Sequence, residues 1–279
     1  MSSEQAKPNW GTSYRLIAAE KWKAKSAAMG RDVTAALANY ARPQAGMKVL
    51  DLASGTGEPA ISLAKQVGPT GHVTAVDLSA ELLEIAAERA RQRNLGNFSS
   101  KQADAHELPF HDSTFDLITC RFGVMFFADP GKALAEACRV LKAGRRACFL
   151  AWGTFDQPYW ATTMGVVQRH VGGPAIAPGE ADPFRFAEPG SLSKALRTAA
   201  FDEVEESTND LPWNWPGSPE DVWEYARSVS APFRPLLDRV PAQRWREIDA
   251  DVHTAISKYV EGEVIRFGVK VVLAAGRKT

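Results

Sequence analysis

The sequence has no excess of charge of either sign and very little cysteine. It contains 33 Lys and Arg residues against 33 Asp and Glu residues in a chain of 279, so it lacks the basic field that attracts nucleic acid. The cysteines, Cys120, Cys138 and Cys148, lie in apolar stretches and form no CxxC pair. We therefore expect buried free thiols in a reducing cytosol, with no metal site and no disulfide.

Long apolar runs and a secretory leader are also missing. No run reaches the roughly 18 apolar residues that would cross a membrane, and the polar segment at residues 1–10 has no signal-peptide core. These features predict a cytoplasmic protein without a membrane span. The length suits a single α/β domain with insertions.

The most informative stretch runs from Met47 to Pro59. An apolar run reaches Asp51, breaks into small residues around Gly55 and Gly57, and passes at once into a helical pattern. A strand, a glycine turn and a helix together bring backbone N–H groups against a nucleotide-like ligand. Taken alone, the glycine pair also fits a tight turn that binds nothing.

Strand and helix patterns alternate on both sides of this turn. Helices are predicted within 13–41 and at about 79–93 and 129–144, and further strands at 72–78, 97–104, 115–122 and 146–152. This alternation predicts an α/β fold with a doubly wound parallel sheet. Downstream, we expect a helix at 189–200 and strands at 202–207 and 264–274.

The economical division is one domain of 279 residues. We expect N-terminal helices within 1–44 to cover the site, 45–153 to form the cofactor-binding core, and the segments 153–187 and 211–262 to be helical insertions. The insertions would form a lid over the substrate.

Three acidic residues, Asp51, Asp77 and Asp104, each close a predicted strand. The carboxyl ends of parallel strands meet at one edge of a sheet, where such folds bind ligands. Asp77 follows Gly57 by about twenty residues, the offset of a carboxylate that binds two ribose hydroxyls. Asp104 is then placed to face an adenine amino group.

A dinucleotide is the main competitor for this site. Its G-x-G-x-x-G fingerprint is absent here, because Ala53 stands at the first position and no glycine follows Gly57 at the required offset. Glu58 beside the glycines would also repel a pyrophosphate. S-adenosylmethionine, which carries a sulfonium instead of phosphates, fits the acidic surroundings better. An NAD-dependent oxidoreductase and a non-catalytic S-adenosylmethionine-binding module stay open as alternatives.

Several motifs carry a resemblance to a known family. Residues 49–57, Val-Leu-Asp-Leu-Ala-Ser-Gly-Thr-Gly, resemble the first motif of class I S-adenosylmethionine-dependent methyltransferases, and residues 73–79 resemble the second. Residues 103–110, 115–122 and 139–142 are similar to the subgroup containing ubiquinone and menaquinone C-methyltransferases. The resemblance implies a Rossmann-like, seven-stranded sheet whose last strand is antiparallel.

The resemblance also implies a set of cofactor-binding residues. Gly55 and Gly57 would lie against the methionine part, Asp77 on the ribose, and Leu78 beside the adenine. Asp51 would order the glycine loop. The full set is Asp51, Ala53, Ser54, Gly55, Gly57, Asp77, Leu78, Asp104, Ala105 and Arg121, and by analogy Tyr14 and Trp22 would cover the methionine end.

The expected reaction is transfer of a methyl group from S-adenosylmethionine to a small, apolar or aromatic molecule. Trp213, Trp223 and Tyr225 are candidates for the acceptor pocket, although such clusters are more often core. His170 and His253 are candidates for a general base, although packing or surface roles are commoner for histidine. A nucleic-acid acceptor is disfavoured because residues 119–123 lack the Asn/Asp-Pro-Pro-aromatic motif.

Overall fold

The structure is a computed structural model that describes residues 21–279. The predicted role of Tyr14 therefore lies outside the described residues. The first half of the described chain alternates helices and strands in the predicted order. Its elements are α1 (Lys23–Met29), α2 (Arg31–Ala41), β1 (Lys48–Leu52), α3 (Ala60–Val67), β2 (His72–Asp77), α4 (Ala80–Arg91), β3 (Phe98–Gln102), β4 (Phe115–Arg121), α5 (Pro130–Val140) and β5 (Leu141–Trp152).

The second half inserts helices between three further strands. These elements are α6 (Pro158–Thr162), α7 (Met164–Val171), α8 (Ser191–Thr198), β6 (Asp202–Pro216), α9 (Pro219–Val229), α10 (Arg234–Leu237), α11 (Trp245–Ser257), β7 (Val260–Glu261) and β8 (Val264–Arg277). Within the described part, no helix has both the length and the apolar character to cross a membrane.

The sheet confirms the predicted fold class. Its strands follow the order β3-β2-β1-β4-β5-β8-β6, and the two-residue β7 pairs with β8. Strands β1 to β5 are mutually parallel. The last strand, β8, runs antiparallel to both β5 and β6. The carboxyl ends of β1, β2 and β4 consequently meet at one edge.

Periodic apolar residues explain why the helices cover this sheet. In α3, Ile61, Leu63, Ala64 and Val67 are all buried, as the apolar spacing predicted. Burying one such aliphatic side chain contributes roughly 1.5–3 kcal/mol. The three cysteines are free and buried in the same core. The core therefore fixes the glycine turn between β1 and α3.

Strand β6 is longer than predicted, which moves the start of the second insertion. The strand was expected to end at 207, with the insertion beginning at 211, but β6 continues to Pro216 and pairs with β8 throughout that stretch. Pro212 and Pro216 look like strand breakers in the sequence. They are tolerated because β6 is the edge strand, where a missing N–H can face away from the ladder. The buried Trp213 and Trp215 therefore belong to the sheet.

Candidate cofactor and acceptor site

Asp77 joins the glycine loop to the carboxyl end of β2. Its Oδ2 accepts the Gly55 N–H at 2.8 Å, and its Oδ1 accepts the Ser79 N–H at 3.0 Å. A carboxylate oxygen has two lone pairs, so one carboxylate can serve several donors at once. The predicted ribose-binding side chain thus lies at the rim, already oriented by backbone donors.

The two predicted glycines serve different purposes. Both have positive φ angles, +53° at Gly55 and +108° at Gly57, in the range that side chains disfavour. A Cβ on Gly57 would approach Ile61 Cδ1 to 2.7 Å, whereas a Cβ on Gly55 would meet nothing within 4 Å. Gly57 therefore lets α3 pack closely, and Gly55 leaves open space above the loop.

Polar groups of the loop itself hold it in place. The Ser54 hydroxyl donates to the Asp51 carbonyl at 2.8 Å, and the Ser54 N–H donates to the Val76 carbonyl at 2.9 Å. From α4, Arg89 Nη1 donates to the Thr56 carbonyl at 3.1 Å. Ser54, predicted to bind the cofactor, thus uses its hydroxyl hydrogen to close the turn.

Asp51 is fully buried beneath the loop. Its Oδ1 accepts the Thr119 hydroxyl at 2.6 Å, while its Oδ2 has no hydrogen-bond partner among the described residues. Burial raises the pKa of this carboxyl to about 7, against the opposing effects of Thr119, Ser54 and Arg121. The site therefore contains an orphaned acceptor atom that a cationic ligand would stabilise.

Arg121 ends β4 and connects the sheet to α2. Its Nη1 donates to the Thr34 hydroxyl at 2.5 Å, and its Nε is buried without a partner in the described part. Burial lowers the pKa of this guanidinium, and the neighbouring charges of Glu58 and Asp51 oppose that shift. Arginine stays protonated in proteins, so this cation lies close enough to the carboxyl groups of Glu58 and Asp51 to interact with them.

On the adenine side, Asp104 is held by a histidine that the sequence reading did not use. Asp104 Oδ1 accepts both the His106 N–H at 3.0 Å and His106 Nδ1–H at 2.5 Å. The backbone N–H of Asp129, which can only donate, points to His106 Nε2, with 3.1 Å between the two nitrogens. Nε2 is therefore the acceptor nitrogen, so His106 is the neutral tautomer that carries its hydrogen on Nδ1.

An apolar surface lies beside these polar groups. Leu78, which follows β2 directly, is one of the few large apolar side chains exposed in the described part, at 36%. Ala105, after Asp104, is buried. An exposed leucine and a small buried residue at neighbouring strand ends can flank the flat face of a purine.

An aromatic stack stands at the ends of β4 and β5, and the sequence reading missed it. The ring of Phe122 lies on Trp152, with 4.1 Å between centroids and 16° between planes. Trp213 meets the two rings edge-on, at 6.1 Å and 5.2 Å. Phe122 has a φ of +56°, a strained value for a bulky residue that is typical of functional sites.

The predicted acceptor residues divide between this stack and the opposite side of the insertion. Trp213 is part of the stack, and Tyr225 packs on Trp215 with 4.9 Å between centroids. Trp223 instead donates its Nε1–H to Asp249 on α11 at 2.7 Å and lines an outer cavity of about 690 Å³. The structure therefore brings Trp213, but not Trp223, to the strand ends.

Trp22 packs against the extended end of strand β6. Its ring lies 5.6 Å from that of Trp215, and its Nε1 is buried without a described partner. This contact places α1 against β6, so the described part of the N-terminal region covers the extended end of the sheet.

The two candidate histidines are engaged with helices of the insertion. His170 Nε2 donates to Asp251 at 2.8 Å, and Arg244 Nη2 donates to His170 Nδ1 at 2.7 Å. His253 Nδ1 lies 3.8 Å from Glu220 Oε1. None of these partners belongs to the strand-end loops, so the geometry gives neither histidine a contact from which it could act as a base there.

Gly123 is a further site residue that the sequence reading missed. A Cβ at this position would approach Ala53 Cβ to 2.5 Å and Cys120 Sγ to 2.8 Å. We expect Gly123→Ala to push the glycine loop away from β4, lowering the free energy of unfolding by roughly 1–3 kcal/mol and weakening cofactor binding. Thermal melting and a cofactor titration measure both effects.

Gly96→Ala is the matched control, because a Cβ there would meet nothing within 4 Å. If both alanine variants melted like the wild type and bound the cofactor equally, the close approach of the two loops would have no energetic role.

Comparison with known proteins gives consistent matches. A family model described as a methyltransferase domain matches residues 43–153. The ubiquinone/menaquinone biosynthesis C-methyltransferase UbiE of Rhizobium etli is 34% identical over 177 residues, 58% of this chain and 67% of that protein. The UbiE of Bdellovibrio bacteriovorus is 33% identical over 175 residues, 61% of this chain and 73% of that protein.

Among solved structures, the YcgJ protein of Bacillus subtilis aligns with a TM-score of 0.57 and 23% identity, covering 88% of this chain and 97% of that one. This likeness concerns the fold. The family model and the two relatives concern the sequence, and the model spans the glycine loop, the three strand-end acids and the whole of β4 and β5.

Proposed function

The chain belongs to the class I S-adenosylmethionine-dependent methyltransferases, a family whose UbiE members it resembles, and on that basis we propose that it methylates a small aromatic acceptor held at the Phe122–Trp152 stack. It is an enzyme, and S-adenosylmethionine is its methyl donor. The NAD-dependent oxidoreductase and the non-catalytic module that the sequence left open are thereby set aside.

The residues at the strand ends suit this cofactor. Asp51, whose buried Oδ2 lacks a described hydrogen-bond partner, and Asp77 place carboxyl groups near a cationic ligand, and Gly55 leaves space above the loop. We propose that Asp77 binds the ribose hydroxyls and that the glycine loop faces the methionine part. Leu78 and Ala105 would flank the adenine, with Asp104 facing its amino group.

The observation that carries the acceptor proposal is the position of the aromatic stack. Phe122 directly follows Arg121 at the end of β4, and the next residue, Gly123, lies against Ala53 of the glycine loop. An acceptor resting on Phe122 would therefore be adjacent to the reacting end of the cofactor. Planar rings favour offset-stacked and edge-on contacts with other rings, which this cluster offers on several sides.

The displacement at the methyl group itself requires no proton transfer by the protein. S-adenosylmethionine supplies an electrophilic methyl group and a good leaving group, so orientation of the acceptor and exclusion of water can account for much of the rate. Burial raises the pKa of Tyr159, beside the stack, well above its usual value. Its hydroxyl therefore stays protonated at pH 7, and we assign it no role as a base.

The similarity to relatives named C-methyltransferases supports a finer proposal. A ring carbon made electron-rich by a hydroxyl substituent, as in a phenol or a hydroquinone, is nucleophilic enough to attack a sulfonium methyl group. We propose such a carbon as the atom methylated. Its electron pair forms the new bond to the methyl group as the carbon–sulfur bond breaks, S-adenosylhomocysteine leaves, and the ring carbon then loses its proton to water.

The test is an acceptor panel with methyl-deuterated S-adenosylmethionine. Hydroquinones and naphthols should gain one labelled methyl group on carbon, detected by mass spectrometry, with matching release of S-adenosylhomocysteine. Aliphatic amines and carboxylic acids of equal size form the control set. An aromatic acceptor would be contradicted if only the control compounds were methylated, or if no compound of the panel were methylated.

A further inference from the structure

Buried polar side-chain atoms that lack a hydrogen-bond partner are concentrated in one region of the described chain. Two lie at the carboxyl ends of strands, in Asp51 and Arg121, and others lie in the elements around them. Arg146 lies in the interior of β5, away from the strand ends. The complete set in the described part is Trp22, Asp51, Arg121, Arg146, Trp160, Trp213, Trp215 and Ser230.

Two of these groups flank the aromatic stack. The rings of Trp160 and Trp213 lie 5.5 Å and 5.2 Å from Trp152, both edge-on. Tyr159 contacts the same two indoles, at 4.8 Å and 6.1 Å. The indoles are only 6% and 7% exposed. Both indoles are thus held by packing against Trp152, the ring that underlies Phe122.

An indole N–H is a donor and has no acceptor capacity. Buried tryptophans usually place this group against an oxygen, because leaving it unpaired in an apolar interior is unfavourable. Two such unpaired donors beside one stack favour a ligand that brings hydrogen-bond acceptors to them. A hydrocarbon ring would not meet it, whereas a ring bearing oxygen would.

We propose that the Nε1–H groups of Trp160 and Trp213 bind oxygen substituents of the aromatic acceptor and so select oxygenated rings over hydrocarbon rings. This inference rests on the proposed function, because it concerns the same acceptor site. Trp22 and Trp215 form a separate pair on the side of α1. The proposal makes the two donors specificity-determining residues and gives neither a chemical step.

The test compares two probes of similar shape, 1-naphthol and naphthalene, by equilibrium dialysis against the enzyme saturated with S-adenosylhomocysteine. The wild type should bind 1-naphthol about tenfold more tightly, the effect of roughly one net hydrogen bond. Trp160→Phe and Trp213→Phe keep an aromatic ring but remove the donor. Each should reduce the preference for 1-naphthol while leaving naphthalene binding nearly unchanged.

Trp245→Phe is the matched control. This indole lies on α11, stacked with Arg227 at 4.2 Å from the guanidinium carbon, and the preference for 1-naphthol should survive its removal. Equal binding of the two probes by the wild type would overturn the proposal. So would the absence of binding by either probe, or an unchanged preference in both phenylalanine variants.

The outcome is separable from the proposed function. If hydroquinones are methylated but the two probes bind equally, the aromatic acceptor stands and the donor assignment fails. If no aromatic ring is methylated, the proposed function fails whichever probe binds better.

Discussion

Asp77→Ala should weaken the binding of S-adenosylmethionine by about 100-fold or more. The change removes the acceptor for the Gly55 N–H as well as the proposed acceptor for the ribose hydroxyls. Hydrogen bonds to a charged group contribute roughly 1.5–3 kcal/mol each, and about 1.4 kcal/mol corresponds to a factor of ten in affinity. Calorimetric titration of the purified protein measures the change directly.

Two further variants serve as controls for Asp77→Ala. Asp77→Asn can keep an oxygen for the Gly55 N–H, but it removes the charge and puts an amide donor in place of the oxygen that accepts the Ser79 N–H. Its affinity should therefore fall between those of the wild type and the alanine variant. Asp210→Ala removes an exposed carboxylate that pairs with Lys270 and should bind normally. Wild-type affinity in Asp77→Ala would remove the ribose assignment.

Asp51→Asn should change how stability depends on pH. The pKa of Asp51 is raised by burial to about 7 in the folded protein, against an ordinary value of 3.8. Between these values the folded state retains a proton that the unfolded chain has lost. The unfolded state therefore binds fewer protons in this window, and the contribution of Asp51 to stability falls as pH rises.

The loss of folding stability caused by ionising the buried Asp51 is complete above about pH 7. At 1.36 kcal/mol per pKa unit, this loss amounts to about 4 kcal/mol. Chemical denaturation of the wild type and Asp51→Asn at several pH values isolates it. The asparagine variant should gain stability relative to the wild type as pH rises from about 4 to 7. A constant difference across that range would show that the pKa of Asp51 is not raised in the folded protein.

Glu136→Gln supplies the contrast. Arg139 holds the pKa of Glu136 below its usual range through a side-chain hydrogen bond. The stabilisation by Glu136 is present above its ordinary pKa and disappears as pH falls. Glu136→Gln should therefore lose stability relative to the wild type as pH rises through the ordinary pKa of Glu136. This is the opposite of the change expected for Asp51→Asn.

Local sequence patterns predicted most of the fold, because alternating strands and helices repeat the same periodicities through the first half. The length of β6 was the main error in the second half. Pro212 and Pro216 indicate a break when neighbouring strands are unknown, and their tolerance depends on β6 lying at the sheet edge. That position follows from the pairing with β8, which no short window of sequence contains.

The cofactor side of the site was more predictable than the acceptor side. Asp51 and Asp77 lie at the carboxyl ends of their strands, and their meeting at one edge is a property of parallel sheets. Phe122 and Trp152 are 30 positions apart in the sequence and form a stack only because β4 and β5 are neighbours. One signal was available, since each residue stands at the end of a predicted strand.

The aromatic residues of α9 show a further limit. Trp223 and Tyr225 are two positions apart, so they point to different sides of the helix. The sequence does not state which side meets β6. The structure places Tyr225 against Trp215 and Trp223 against Asp249. A cluster that looked like one group of acceptor residues is therefore divided between two surfaces.

The most direct test is a crystal structure of the enzyme with S-adenosylhomocysteine and 1-naphthol. The account predicts ribose hydroxyls on Asp77, the homocysteine sulfur facing the ring that rests on Phe122, and the naphthol oxygen within hydrogen-bond distance of an indole nitrogen. A sulfur atom directed away from Phe122, with the aromatic stack closed to both molecules, would contradict it.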